Sequence, residues 1–115
     1  MSGRPEHHDL CFGCGLSNPF GLQLDAQHDG AAIVGRFFVK QDHQGPSRGA
    51  HPGVLAAALL EAVALAGGAP RSVQLELGDG PAVGTFVRVE ASAEHAVARD
   101  DSTGEEVARA TCLRA

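Results

Sequence analysis

The chain has 115 residues, enough for one compact domain and too few for two. Hydrophobic residues make up 43% and charged residues 20%, ordinary usage for a folded domain, which argues against wholesale disorder. Nine Lys and Arg against fourteen Asp and Glu leave a net charge of -5, opposite in sign to the basic face that phosphate neutralisation needs, so nucleic acid is not an expected partner. No apolar run reaches the roughly 20 residues of a membrane span, and no membrane partner is expected. The first nine residues have no apolar core and do not read as a secretory signal. Three cysteines do not make a disulfide scaffold, so a reducing cytoplasm is the expected compartment. With no Trp or Tyr and only five Phe, the core must be aliphatic.

In chain order, residues 1–20 read as a loop segment: charged and His-rich, then Cys11-Phe12-Gly13-Cys14-Gly15, then a turn at Ser17-Asn18-Pro19. Leu22 and Leu24 alternate with Gln23 and Asp25, which predicts a short strand. Asp29-Gly30 tolerates the positive φ of a hairpin turn, and 33–40 is the partner strand. A polar, Gly-rich loop covers 41–51. A helix is predicted over 52–66: Pro52 suits the first helical position, Ala and Leu are strong helix formers, and Gly67-Gly68 ends the run. It is apolar on nearly every face, so it is expected to be wrapped by the rest of the protein. Beyond Pro70 the period becomes two, with Val73, Leu75 and Leu77, then Val87, Val89 and Ala91. A turn at 100–104 and a strand over 105–113 complete an α+β order, a helix packed on an antiparallel sheet.

Three stretches resemble a hotdog-fold thioesterase of the small, acyl-CoA-directed, phenylacetate-pathway type. The first is Cys11-Phe12-Gly13-Cys14-Gly15-Leu16-Ser17-Asn18-Pro19-Phe20-Gly21-Leu22, similar to that family's lead into its first strand. The second is His43-Gln44-Gly45 with His51-Pro52-Gly53-Val54-Leu55-Ala56, similar to the loop and start of the central helix. The third is Pro81-Ala82-Val83-Gly84 with Gly104-Glu105-Glu106-Val107-Ala108-Arg109-Ala110, similar to the last turns and final strand. One departure is that 92–99 leaves little room for the usual long hairpin. The resemblance implies an antiparallel sheet wrapped around one central buried helix, with 1–20 as an N-terminal loop segment and 21–115 as a single hotdog domain. It also implies a homodimer or homotetramer that holds an acyl-CoA or acyl-carrier thioester between subunits. No cofactor is implied. The helix N-terminus would face the thioester carbonyl, where backbone N–H donors suit the developing negative charge. A carboxylate nine residues after the motif His would act as nucleophile or base.

Nine residues after His51 stands Leu60, which can neither attack a carbonyl nor activate water. Glu61 is next, about 100° further round the helix. Pro52 stands where the family has Gly and has no N–H to donate. The candidate catalytic residues are therefore Glu61, as a displaced base or nucleophile, and His51. Gly53, Gln44 and His43 are the candidate substrate-binding residues, with Gly53 N–H and His51 as carbonyl partners. Each has a plainer alternative: Glu61 at the helix edge paired with Arg71 or Arg88, His51 satisfying backbone groups at the helix start, and His43 solvated. The acid–base dehydratases of the same superfamily fit poorly, since neither His43 nor His51 has their spacing to Glu61. Arg48, Arg71 and Arg88 are candidates for holding CoA. Phe12, Phe20, Phe37 and Phe38 either line an acyl pocket or pack a core.

Cys11-x-x-Cys14, with His8 three residues before it, offers thiolate and imidazole ligands suited to Zn²⁺. A fourth ligand would have to come from His7, Cys112 or another subunit. The alternative is that both cysteines pack the N-terminal segment as small apolar residues. A redox role fits less well, because reactive pairs usually sit at a helix N-terminus. Cys112, on an alternating strand, reads as core. Two functions follow: hydrolysis of acyl thioesters through a rearranged site, or binding of an acyl thioester or other apolar small molecule without hydrolysis.

Overall fold

The computed structural model describes residues 2–3 and 8–113. Its strands are β1 (Ser2–Gly3), β2 (Asp25–Asp29), β3 (Ala32–Phe38), β4 (Ser72–Leu77), β5 (Phe86–Ala91), β6 (His95–Asp100) and β7 (Glu106–Leu113). All pair antiparallel in one sheet of order β1-β2-β3-β5-β6-β7-β4, which leaves β4 at an edge. One α-helix, α1 (Pro52–Gly67), packs against strands β3 to β7, giving the α+β arrangement expected from the element order. No described helix is long and apolar enough to cross a membrane.

The helix forms where Pro52 opens it and ends where Gly68 adopts φ 83°, a left-handed conformation that costs glycine nothing. Leu55, Ala58, Leu59, Ala62 and Val63 recur at three- and four-residue spacing and form the buried stripe. They meet Ile33, Phe37, Val87, Val89, Ala96 and Ala98 from the sheet, all buried. Alanines on both surfaces let helix and sheet approach closely, which suits a core with few aromatic rings. Within one chain the wrapping is one-sided: Ala57, Leu60, Glu61 and Ala64 on the outer flank are only partly covered or exposed.

The strand expected at Leu22 and Leu24 is not part of the sheet, and β2 begins only at Asp25. The alternation itself is real, since both leucines are buried. Gln23, at φ 54°, breaks the extended run. The backbone of this stretch pairs instead with the cysteine turn: Leu22 N–H donates to the Phe12 carbonyl at 2.7 Å and Leu24 N–H to Gly13 at 2.9 Å. The Asp29-Gly30 turn is present, with Gly30 at φ 62° and Asp29 opposite Ala32. The segment 92–99, short as it is, does form a hairpin, because Ser92 folds it tightly by accepting the N–H groups of Glu94 and His95 on its side chain.

Candidate functional site

The N-terminal motif is a clamp. Gly15 N–H donates to the Cys11 carbonyl at 2.9 Å, closing a turn that brings the two cysteine side chains to one side. Asn18 holds the turn to the following loop, donating to the Leu10 carbonyl and accepting from Phe20 N–H, each at 3.0 Å. Lys40, which no sequence motif singles out, fixes the loop from the other side. Its Nζ donates to the carbonyls of Pro19 and Gly21 at 2.9 and 3.0 Å and to Gln23 Oε1 at 3.3 Å. Gly21 is required by close approach, since a side chain there would meet the backbone carbonyl of Phe12, whereas a Cβ at Gly13 would meet the Glu61 carboxylate and push it aside.

That clamp sets the cysteines over the middle of α1. Cys11 Sγ donates to Glu61 Oε1 at 3.8 Å, and the ligand atoms of Cys11, Cys14 and Glu61 all lie within 4.8 Å of one another. Cys14 is 8% exposed. Burial, reinforced by the hydrogen bond and negative charge of Glu61, pushes its thiol well above the usual thiol range, so it is a protonated thiol and a poor nucleophile at neutral pH. His8 is exposed and accepts the Leu10 N–H on Nδ1, outside this group. His7 lies outside the described residues. Cys112 is buried on β7, opposite Val73 of β4.

Glu61 and Cys11 also border a groove of about 650 Å³ between α1 and the edge strand β4. Its walls are apolar, with Ala57, Leu60 and Ala64 from the helix and Val73 and Leu75 from the strand, joined by the half-exposed Phe12 and, at the rim, the exposed Arg71. Leu60, at the position where the resemblance implies a carboxylate, is therefore a wall of this groove and is 37% exposed.

The other candidates gather at the helix start. His51 is the N-cap, and its Nδ1 accepts the Gly53 N–H at 2.8 Å. The amide expected to serve a substrate carbonyl is thus already donated within the chain. His51 N–H donates to the His43 carbonyl at 2.8 Å, so the two histidines share a backbone junction. The His43 side chain points inward: it is 6% exposed, lies edge-on to Phe37, and accepts the Lys40 N–H on Nδ1 at 3.1 Å. Burial, followed by the nearby Lys40 charge, lowers its pKa and keeps it neutral. It is not solvated, as the plainer alternative had it. Gln44 is exposed beside it. Ten helical residues, about 15 Å of rise, separate His51 from Glu61, so one chain does not bring the two catalytic candidates together.

The remaining candidates scatter. Arg71 reaches the groove, Arg48 lies exposed on the loop, and Arg88 is on the outer face of the sheet, 4.0 Å from Glu90. Only Phe12 of the four phenylalanines borders the groove; Phe20 is exposed, Phe37 is core, and Phe38 packs edge-to-face on Phe86.

No protein-family model and no curated protein matches this chain. Solved structures do. The E. coli PaaI protein from the phenylacetic acid degradation operon is similar at TM-score 0.67 and 16% identity, over 79% of this chain and 81% of that one. A mutant of the phenylacetic acid degradation protein PaaI from Thermus thermophilus is similar at TM-score 0.65 and 25% identity, over 82% and 95% of the two chains. The smu.793 protein from Streptococcus mutans, solved bound to acetyl CoA, is similar at TM-score 0.63 and 13% identity, over 80% and 91%.

Proposed function

We propose, for a chain that carries the hotdog fold of the thioesterase superfamily, that it binds an acyl thioester, an acyl-CoA by class, with the acyl chain in the groove between α1 and β4. The observation that carries this reading is the groove itself: two apolar walls, open at one side, with Leu60 in place of an acid and Arg71 at the rim. An aliphatic chain gains free energy from such walls in proportion to the area it covers. The Arg71 guanidinium, always charged, suits a phosphate or carboxylate at the polar end of the ligand. The helix start is ill equipped for ordinary hydrolysis, since Pro52 lacks an N–H and Gly53 has given its own to His51.

A second reading, hydrolysis through a rearranged site, is favoured by one observation: the Glu61 side chain borders the same groove. Glu61 would then act as base or nucleophile on a thioester whose carbonyl meets His51 and Gly53 from a second copy, because one chain holds these groups about 15 Å apart. The second reading calls for a homo-oligomer, and both suit a reducing cytoplasm, where the three cysteines stay reduced.

The test is a panel of acyl-CoA esters, short, long and aromatic, followed for binding by calorimetry and for thiol release. Binding without release supports the first reading. Release that disappears in Glu61→Gln establishes the second. No heat and no release with any ester from a folded protein refutes both.

A further inference from the structure

We infer that Cys11, Cys14 and Glu61 form a Zn²⁺ site beneath the groove. Three observations carry it. The ligand atoms are already gathered within 4.8 Å of one another, the only such group of three among the described residues. Tetrahedral zinc with Zn–S about 2.3 Å and Zn–O about 2.0 Å places sulfur and oxygen about 3.5 Å apart. The Cys11 Sγ to Glu61 Oε1 distance of 3.8 Å therefore needs to close by only a few tenths of an ångström. Finally, the turn packs directly on the carboxylate, so that the three nearest atoms a Cβ at Gly13 would meet all belong to the Glu61 side chain, and Leu22, Leu24, Asn18 and Lys40 hold the turn there.

The donor set selects the metal. Two thiolates and one carboxylate mix soft and hard ligands, which suits the borderline Zn²⁺ and disfavours Mg²⁺ and Ca²⁺, which take oxygen alone. Binding releases the two thiol protons to solvent, and Zn²⁺ with three anionic ligands leaves the site at net charge -1. The fourth tetrahedral position belongs to water or to an oxygen atom of a bound ligand, because Cys11 and Glu61 both border the groove. His8, offered by the sequence as a ligand, is replaced by Glu61, fifty positions beyond Cys11.

The experiment is a Co²⁺ titration of the reduced 115-residue protein without any thioester, so its outcome is independent of the ligand in the groove. One equivalent per chain is expected, with thiolate-to-cobalt charge transfer, tetrahedral d–d bands, and displacement by Zn²⁺. Cys11→Ser and Cys14→Ser each cut the charge-transfer band to about half or less and the double variant loses it, Cys112→Ser keeps it, and Glu61→Gln weakens binding at least about tenfold, the lower end of what even outer-shell changes cost. Should these variants fail to fold, X-ray absorption of the zinc-loaded wild-type protein decides: two sulfurs with oxygen neighbours support the site, and imidazole in the shell overturns it. Absence of charge transfer at saturating Co²⁺, a signal indifferent to Glu61→Gln, or a Cys11–Cys14 disulfide that survives reduction also overturns it.

Discussion

If the groove between α1 and β4 holds an acyl chain, affinity must climb with chain length, and Leu60 must set the slope. A fully buried methylene contributes about 0.8 kcal/mol, close to fourfold in Kd. The groove is open on one side, so about half of each methylene is covered, which gives about 0.4 kcal/mol, or about twofold per carbon. From an acetyl to an octanoyl ester the six added methylenes then improve Kd by about 60-fold. Leu60→Asn keeps the size of the wall and makes it polar without installing an acid. Leu60 is 37% exposed, so the change costs about 1–2 kcal/mol of stability, part of what a fully buried leucine contributes. It should flatten the chain-length dependence to less than about half its wild-type slope. Calorimetry across acetyl, butyryl, hexanoyl and octanoyl esters reads the slope, and urea unfolding confirms that the variant is folded. Equal Kd for acetyl and octanoyl esters, or a slope that survives Leu60→Asn, would mean that the chain lies elsewhere and that the groove reasoning is wrong.

Four further outcomes are expected. Leu59→Ala, in the fully buried stripe facing the sheet, should lose about 2–5 kcal/mol in urea unfolding, and a loss below about 1 kcal/mol would show that the helix is not anchored there. His51→Ala removes the cap on Gly53 N–H and should cost about 1 kcal/mol, while His51→Asn, able to cap, should recover most of it in thermal melts. Gly49→Ala would drive a Cβ into the carbonyl of Gly80, a backbone atom with no rotamer to move, so a loss of about 2 kcal/mol or more is expected by chemical denaturation. His43, whose pKa is lowered from 6.5 by burial and Lys40, stays neutral in the fold while the unfolded chain takes up its proton. Its contribution is therefore complete above pH 6.5 and is lost as pH falls from there toward its lowered folded value. Melting temperatures from about pH 8 down to about pH 5 should fall more steeply for wild type than for His43→Asn; parallel curves would place the proton-linked step elsewhere.

The parts of this molecule that are legible in the sequence are those written in local periodicity. The Pro52 start and Gly68 stop of α1, the alternation of β4, β5 and β7, and the turn at Gly30 each lie within a few residues of their own signal. β6 is not individually legible, because His95-Ala96-Val97-Ala98-Arg99-Asp100 alternates through alanines whose hydrophobicity is too slight to declare a face. Leu22 and Leu24 alternate correctly and still mislead, because periodicity reports which side chains are buried and says nothing of which backbone pairs with which. The site fails for the same reason on a larger scale. His8, Cys11 and Cys14 are neighbours in sequence and invite a local zinc knuckle, but the side chain that lies against both thiols is brought by the helix from fifty positions away. Glu61 reads in sequence as a displaced relative of the residue at Leu60, and the rotation of about 100° that turns it from the expected direction is what turns it toward the cysteines. Gly13 is the local trace of that contact: the three nearest atoms that a Cβ there would meet all belong to the Glu61 side chain, so the glycine between the cysteines packs directly on the acid of the helix. Gly13→Ala should then disturb the carboxylate and both thiols together, which a merely flexible loop glycine would not do.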